Sequence, residues 1–288
     1  MLVLPFRNLY TIPRRSTQGM RKVQVQQEKR GAAMEAARGA RLFAVLGLCW
    51  LAGQICMAGD VGVYYWWARP DGQAAVGSGS MAGSEFDLRG DFGYRQSEPV
   101  LGLRTVVGER HQFNIDALRV DVSAEERIER NISFGGVLFP MSSTVESQID
   151  AFLVRGCYRY RFVSKQAWSG GLSIGIQYAD LSASATATGV GSASEDIQAA
   201  MPVIGAFGQL EIRNRFTVVA AVEGSSMEFG DVSGQFLDIM GQVRWTTQNG
   251  IFLGAGYRYG HIDAEDKDVR VAFDIEIDGP VVVAGYAW

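Results

Sequence analysis

The sequence is poor in several things, and each shortage closes off a class of function. Of its three cysteines, Cys49, Cys56 and Cys157, only Cys157 lies beyond residue 58. That leaves no disulfide framework and no cysteine-based metal site in the body of the chain. There are two histidines, His111 and His261, and four lysines, Lys22, Lys29, Lys165 and Lys267. Beyond residue 58 no apolar run approaches the ~18 residues of a membrane-spanning helix. The mean hydropathy is +0.02, which by itself fits a soluble protein equally well.

The basic charge is concentrated at the start. Residues 1–33 carry Arg7, Arg14, Arg15, Arg21, Lys22, Lys29 and Arg30 against Glu28 alone. Residues 34–58 then read as a secretory leader. Arg38 and Arg41 form its positive end, Leu42 to Met57 its apolar stretch, and Cys56-Met57-Ala58 a small-x-small cleavage site. The apolar stretch is shorter than the ~20 residues a spanning helix needs. Met34 would give the leader its usual brevity, so 1–33 is expected to be a mis-assigned extension. The leader region takes nine basic and two acidic residues with it, leaving eighteen basic and twenty-nine acidic residues in 59–288, net −11. Such a balance is unsuited to nucleic acid, which is bound by basic faces.

What is abundant is alternation. Phe152, Val154, Tyr158, Tyr160 and Phe162 share one parity, and Arg155, Cys157, Arg159 and Arg161 the other. Leu172, Ile174, Ile176 and Tyr178 oppose Ser173, Gly175 and Gln177. Leu237, Ile239, Val243 and Trp245 oppose Asp238, Gln242 and Arg244. A period of two is the signature of strands with one apolar face. Tight connections near 108–110, 164–167, 214 and 247–250 alternate with longer polar ones at 70–98, 122–148, 182–198, 226–234 and 261–268. Short turns at one end and long loops at the other are the pattern of a membrane barrel. Four tight turns imply ten strands. The apolar stretch 131–139 leaves twelve open, and a misread first pair leaves eight.

The final stretch is the sharpest. From Val269 to Ile277 the odd positions are apolar and the even ones carry Arg270, Asp274 and Glu276; from Val282 on, Val282, Ala284, Tyr286 and Trp288 are the apolar set. A β-bulge at Gly279-Pro280 would keep both sets on one face. Alternate apolar residues running into a terminal aromatic resemble the assembly signal of bacterial outer-membrane β-barrels, and the region 59–288 is similar to the small barrels of the OmpA-like membrane-domain type. The resemblance implies an all-β, closed antiparallel transmembrane barrel, outward apolar faces, aromatic girdles, and outer-membrane lipid, lipopolysaccharide and the barrel-assembly machinery as partners. No peptidoglycan-binding domain is expected with the barrel, and the barrel is expected to be a monomer.

Under that geometry the opposing face lines the lumen: Arg104, Asp116, Arg155, Arg159, Arg161, Glu211, Glu223, Asp238, Arg244 and Arg258. Interior charges must pair or remain wet, so the set reads either as a structural network closing a narrow barrel or as the lining of a small pore. His261 with Asp263 is the one candidate for general-base chemistry, but alternation puts His261 on the lipid side. Neither a cofactor nor a metal is expected. Three functions stay open: a structural or surface-interaction barrel with long external loops, a narrow channel, and an outer-membrane hydrolase using His261.

Overall fold

The computed structural model describes residues 58–77, 83–94, 98–213, 215–229, 232–266 and 271–288. The expected extension 1–33 and the leader 34–58, apart from Ala58, lie outside the described residues. In chain order the strands are β1 (Gly59–Val76), β2 (Glu85–Asp87), β3 (Glu98–Val107), β4 (His111–Arg127), β5 (Ile132–Phe134), β6 (Val137–Phe139), β7 (Thr144–Ser164), β8 (Trp168–Ala187), β9 (Gly191–Arg213), β10 (Phe216–Phe229), β11 (Val232–Thr246), β12 (Ile251–Asp266) and β13 (Val271–Ala287). Ten of them form a closed antiparallel wall in the order β1, β3, β4, β7, β8, β9, β10, β11, β12, β13. The wall closes where β13 pairs with β1, from Asp60 opposite Ala287 to Val76 opposite Val271. At the rim, Gly59 N donates to the Trp288 carbonyl (3.1 Å) and Trp288 N to that of Gly59 (2.9 Å). Closure matters because an open edge would leave polar backbone in hydrocarbon. The remaining three strands are accessory. β2 hooks onto the far end of β1, and β5 and β6 form a hairpin of their own, so 131–139 adds no strand to the wall.

The strands are far longer than a bilayer requires. β8 has 20 residues and β9 has 23, against the ~9–11 that cross a membrane. The excess explains a departure from expectation. Most of the polar stretches taken for long external loops are strand: 182–187 belongs to β8, 191–198 to β9, 226–229 to β10 and 261–266 to β12. Only the connections after β1 and β4 are long.

The register shifts near the lower rim, between Arg161 and Val163 on β7 and between Phe216 and Thr217 on β10; above those points the pleat keeps one phase, but the chemistry of the two faces changes places. In β8 the outward residues are Leu172, Ile174, Ile176 and Tyr178, followed by Asp180, Ser182, Ser184 and Thr186. The inward ones are Ser173, Gly175 and Gln177, followed by Leu181, Ala183, Ala185 and Ala187. Ile174 is 61% exposed and Ile204 66% exposed, while Gln177 is 1% exposed. Polar inside and apolar outside is the arrangement of a membrane barrel; the reverse is that of a water-soluble one. This protein is both, stacked end to end. The lower storey, holding Gly59 and Trp288, spans the bilayer. The upper storey stands clear of it.

The last strand is corrected by the same observation. Its pairing with β12 runs without a shift from Ile251 opposite Tyr286 to Asp266 opposite Val271, and its register with β1 is the same on both sides of Gly279-Pro280. There is no bulge; two rungs, at Trp67 and Ala68, are simply missing, since Pro280 has no N–H to give. Phe273, Ile275 and Ile277 therefore point inward with Val281 and Val283, not outward with Val282, Ala284, Tyr286 and Trp288. A change of surroundings at the membrane surface had the look of a change of phase.

Candidate functional site

The lower storey is filled by charge. Arg258 on β12 donates through Nε and Nη2 to the two carboxylate oxygens of Asp238 on β11 (3.0 and 2.7 Å), a bidentate pair. Arg155 on β7 donates Nη2 to Asp238 (2.7 Å), Nη1 to Glu223 on β10, and Nε to the amide oxygen of Gln177 (3.0 Å). Arg159, two lumen positions below with Cys157 between them, reaches Glu223 with Nη2 at 2.7 Å. The Tyr64 hydroxyl donates to Asp116 (2.7 Å) and accepts from Arg258 Nη1 (2.8 Å). Every one of these side chains is buried. Arg104 is held by the Asn114 amide oxygen at 3.1 Å, and Arg244 pairs with Asp60 at 2.8 Å beneath the main group. Arg161 and Glu211 sit nearer the lower rim, with Glu211 exposed.

Local sequence makes the room. A Cβ on Gly102 would lie 2.0 Å from the Tyr64 ring, and one on Gly205 would lie 2.7 Å from Glu223 Cγ. Small residues opposite long ones let arginines and carboxylates cross the narrow interior. Aromatic faces complete the shell, with the Arg155 guanidinium 4.9 Å from the Phe236 ring and that of Arg258 5.2 Å from the Trp66 ring. Alternation had already put Arg104, Asp116, Arg155, Arg159, Glu223, Asp238, Arg244 and Arg258 on one face. It also set Asn114 beside Asp116 on that face, and gave no hint of Tyr64, Trp66 or Asp60. Residues 64–67 are aromatic at every position, and an unbroken aromatic run has no readable parity.

A second seal closes the upper storey, and this one is apolar. Phe86 on β2, Phe92 in the following turn and Phe134 on β5 meet at centroid distances of 4.6, 5.9 and 6.5 Å. Leu88, Ile128, Ile132, Phe139 and Val145 are buried around them. Backbone bonds tie this plug to the wall: Leu88 N donates to the Gly72 carbonyl (3.0 Å) and Gly135 N to that of Val76 (3.0 Å). Outside, Arg130 clamps Asp91 through Nη2 at 2.6 Å and Nε at 3.2 Å. Partial burial alone would raise the Asp91 carboxyl, but the bonds from Arg130 and from the Asp87 amide, with the Arg130 charge, hold it below the usual carboxylate range.

His261 is on the outer wall, above the apolar band, with Nε2 2.9 Å from Asp274 Oδ1 on β13; Asp263 is not its partner.

No family model matches this chain, and no curated protein does. Solved structures do. The outer membrane protease OmpT of Escherichia coli superposes with a TM-score of 0.50 at 12% identity, over 80% of this chain and 97% of that one. The fold is that of an outer-membrane β-barrel. The attachment invasion locus protein Ail of Yersinia pestis, in complex with sucrose octasulfate, aligns at a TM-score of 0.36 and 11% identity, over 80% of this chain and 99% of its own. The translocator domain of the autotransporter NalP from Neisseria meningitidis aligns at 0.38 and 12%, over 90% and 97%. At such identities the likeness is one of fold.

Proposed function

We propose that this protein is a closed, non-conducting outer-membrane barrel whose upper storey is its working surface, with a structural or surface-interaction role. The supporting observation is the pair of seals: a charge network through the bilayer level and an apolar plug above it. An open pore needs a continuous wet path, and here buried arginines and carboxylates satisfy one another instead of water. On this reading the chain is exported by a cleaved leader, with its mature end at or near Gly59. The assembly machinery reads Val282, Ala284, Tyr286 and Trp288. Both termini face the periplasm, and the barrel stands as a monomer among outer-membrane lipid and lipopolysaccharide, in the manner of the OmpA-like membrane domains but reaching further out. Conductance of the purified protein in planar bilayers tests it: current steps from the wild-type barrel would establish the narrow channel instead.

The rival is a hydrolase. OmpT is a protease, and His261 with Asp274 forms an acid–base pair in the upper storey. The pair faces outward on the wall, away from any enclosed cleft, so we read the protein as non-enzymatic. Peptide or lipid hydrolysis that disappears in His261→Ala would reverse that reading.

A further inference from the structure

Above the apolar band, outward positions carry short, polar or charged side chains such as Asp121, Gln148, Ser184 and Asp196. The outermost tip departs from this. Three large aliphatic side chains lie exposed there: Leu138 on β6 (59%), Met141 in the connection to β7 (60%) and Val190 in the β8–β9 turn (38%). Among the described residues no other large hydrophobic side chain is so exposed outside the band. The three sit together, since Val137, next to Leu138, places Cγ1 4.0 Å from where a Cβ on Gly191 would stand. The turn that carries Met141 is pinned. Ser142 N donates to the Ile128 carbonyl (2.8 Å), Ile128 N to that of Ser143 (3.0 Å), and Met141 N to the Asn131 side-chain oxygen (2.8 Å). Ser142 holds a left-handed backbone at φ 72°, uncommon for a residue other than glycine. Met141 is thus displayed by a fixed turn.

Beside the trio runs an open groove of about 500 Å³. It is lined by hydroxyls of Ser142, Thr144, Thr186 and Thr188 and by the carboxylates of Glu125 and Glu146. Ser142 follows Met141, and Thr188 stands two residues before Val190, so groove and aliphatic patch share an edge. Glu125 and Glu146 are directly opposite in the β4–β7 register. Like charges so placed destabilise a sheet, and neither is ion-paired among the described residues. Glu129 adds a third carboxylate at the tip. Against these stands Arg127, opposite Thr144, because Arg130 is committed to Asp91. We propose that this tip docks a segment of another protein bearing both basic and aliphatic side chains. Its aliphatic groups cover Leu138, Met141 and Val190, and a lysine or arginine enters the groove between Glu125 and Glu146. Charge selects this occupant, since a second copy would bring the same carboxylates face to face. The barrel's own bilayer is out of reach, because Tyr178 to Thr186 is roughly 25 Å of strand. The proposal rests on the reading of the upper storey as the working surface and gives that surface a partner.

The test uses the folded barrel in nanodiscs of zwitterionic lipid and the fluorescence anisotropy of a labelled peptide of alternating lysine and leucine. One counterpart peptide has glutamate for lysine, the other serine for leucine. The lysine–leucine peptide should bind saturably beyond its binding to empty nanodiscs, and less as salt rises. Each counterpart should bind about tenfold more weakly or worse. Leu138→Ser combined with Met141→Ser, both exposed and remote from the core, should weaken the lysine–leucine peptide about tenfold. Glu146→Gln should weaken it by up to about fivefold, the worth of one exposed charge pair. Asp263→Asn, the same loss of charge on the opposite wall, should leave it unchanged. Heat-dependent mobility in SDS verifies that each variant is folded. Equal affinity in the wild type and the folded double variant would overturn the proposal, as would equal losses from Glu146→Gln and Asp263→Asn. Self-association of the wild type that the double variant loses would give the tip to a second copy instead. A barrel that binds the peptide but conducts keeps this site and loses the closed-barrel reading; one that stays closed and does not bind loses this site alone.

Discussion

The two storeys of this barrel are built from the same ten strands, with the same pleat, yet obey opposite rules. Below, Ile174 and Ile204 face lipid while Arg155 and Asp238 meet inside. Above, Ser182 and Asp274 face water while Ala183 and Phe273 pack inward. Apart from register shifts near the lower rim, the backbone does the same in the two halves. What differs is the solvent outside the wall, and each face is written for its own. The lower storey then fills its interior with directional, mutually dependent polar contacts, the upper with non-directional apolar ones. Removing one member should therefore hurt more below than above.

The largest effect should come from Arg155→Met. It would leave Asp238 to Arg258 alone and Glu223 to Arg159 alone, each short of one buried cationic partner, and breaking a buried pair from one side costs about 3–5 kcal/mol. Ile149→Met, on the inward face of the same strand one storey up, should cost under about 1.5 kcal/mol as a hydrophobic swap. Urea unfolding in lipid vesicles compares the two, and equal losses would erase the distinction drawn here.

Next comes the outer face. Ile174→Arg should cost about 2–4 kcal/mol near mid-bilayer, whereas Ser182→Arg, also outward on β8, should stay within about 0.5 kcal/mol. The fraction of heat-modifiable protein in membrane fractions reads both. A severe defect at Ser182 would move the upper storey into the membrane.

The smallest effect concerns the clamp on the plug. The Asp91 carboxyl is held below its ordinary value, so its contribution is complete above the unfolded value of ~3.9 and is lost as pH falls through the lower, folded one. Arg130 is 49% exposed in its side chain, which limits the pair to about 1 kcal/mol or less. Proteolysis or hydrogen exchange in 85–94 should rise below about pH 4 in the wild type. In Asp91→Asn it should be raised already at neutral pH, with no further step from this pair.

The lower storey was legible from the sequence because lipid permits few compromises. Its outward residues are large and apolar, so the period of two stands out, and Arg155, Arg159, Asp238 and Arg258 fall on the other parity by elimination. The upper storey was not legible in the same way. The Ser-Ala-Ser-Ala-Thr-Ala run from Ser182 to Ala187 alternates as strictly as any stretch here, but between a hydroxyl and a methyl, and composition alone makes it a loop. The stretch from Phe273 to Ile277 carried strong contrast, and there the error was of side. Period gives parity, and only the surroundings say which parity is inside. Gln177 was seen as a polar lumen residue, but nothing in the sequence says that its amide oxygen takes the Arg155 Nε–H.

The exchange of faces also gives the molecule a waterline. Outward chemistry turns over within one pleat, from Trp67 to Arg69 on β1, Tyr178 to Asp180 on β8 and Tyr259 to His261 on β12. A rise by two residues, about 7 Å along a strand, would lift aromatic side chains out of the interface. An equal descent would press Arg69, Asp180 and His261 toward hydrocarbon. Each such move is opposed on strand after strand at once, so small local penalties add into a stiff vertical restoring force. The barrel is thereby moored at one depth, and a bilayer too thick or too thin for it must deform around the wall, because the wall has no second height at which to float.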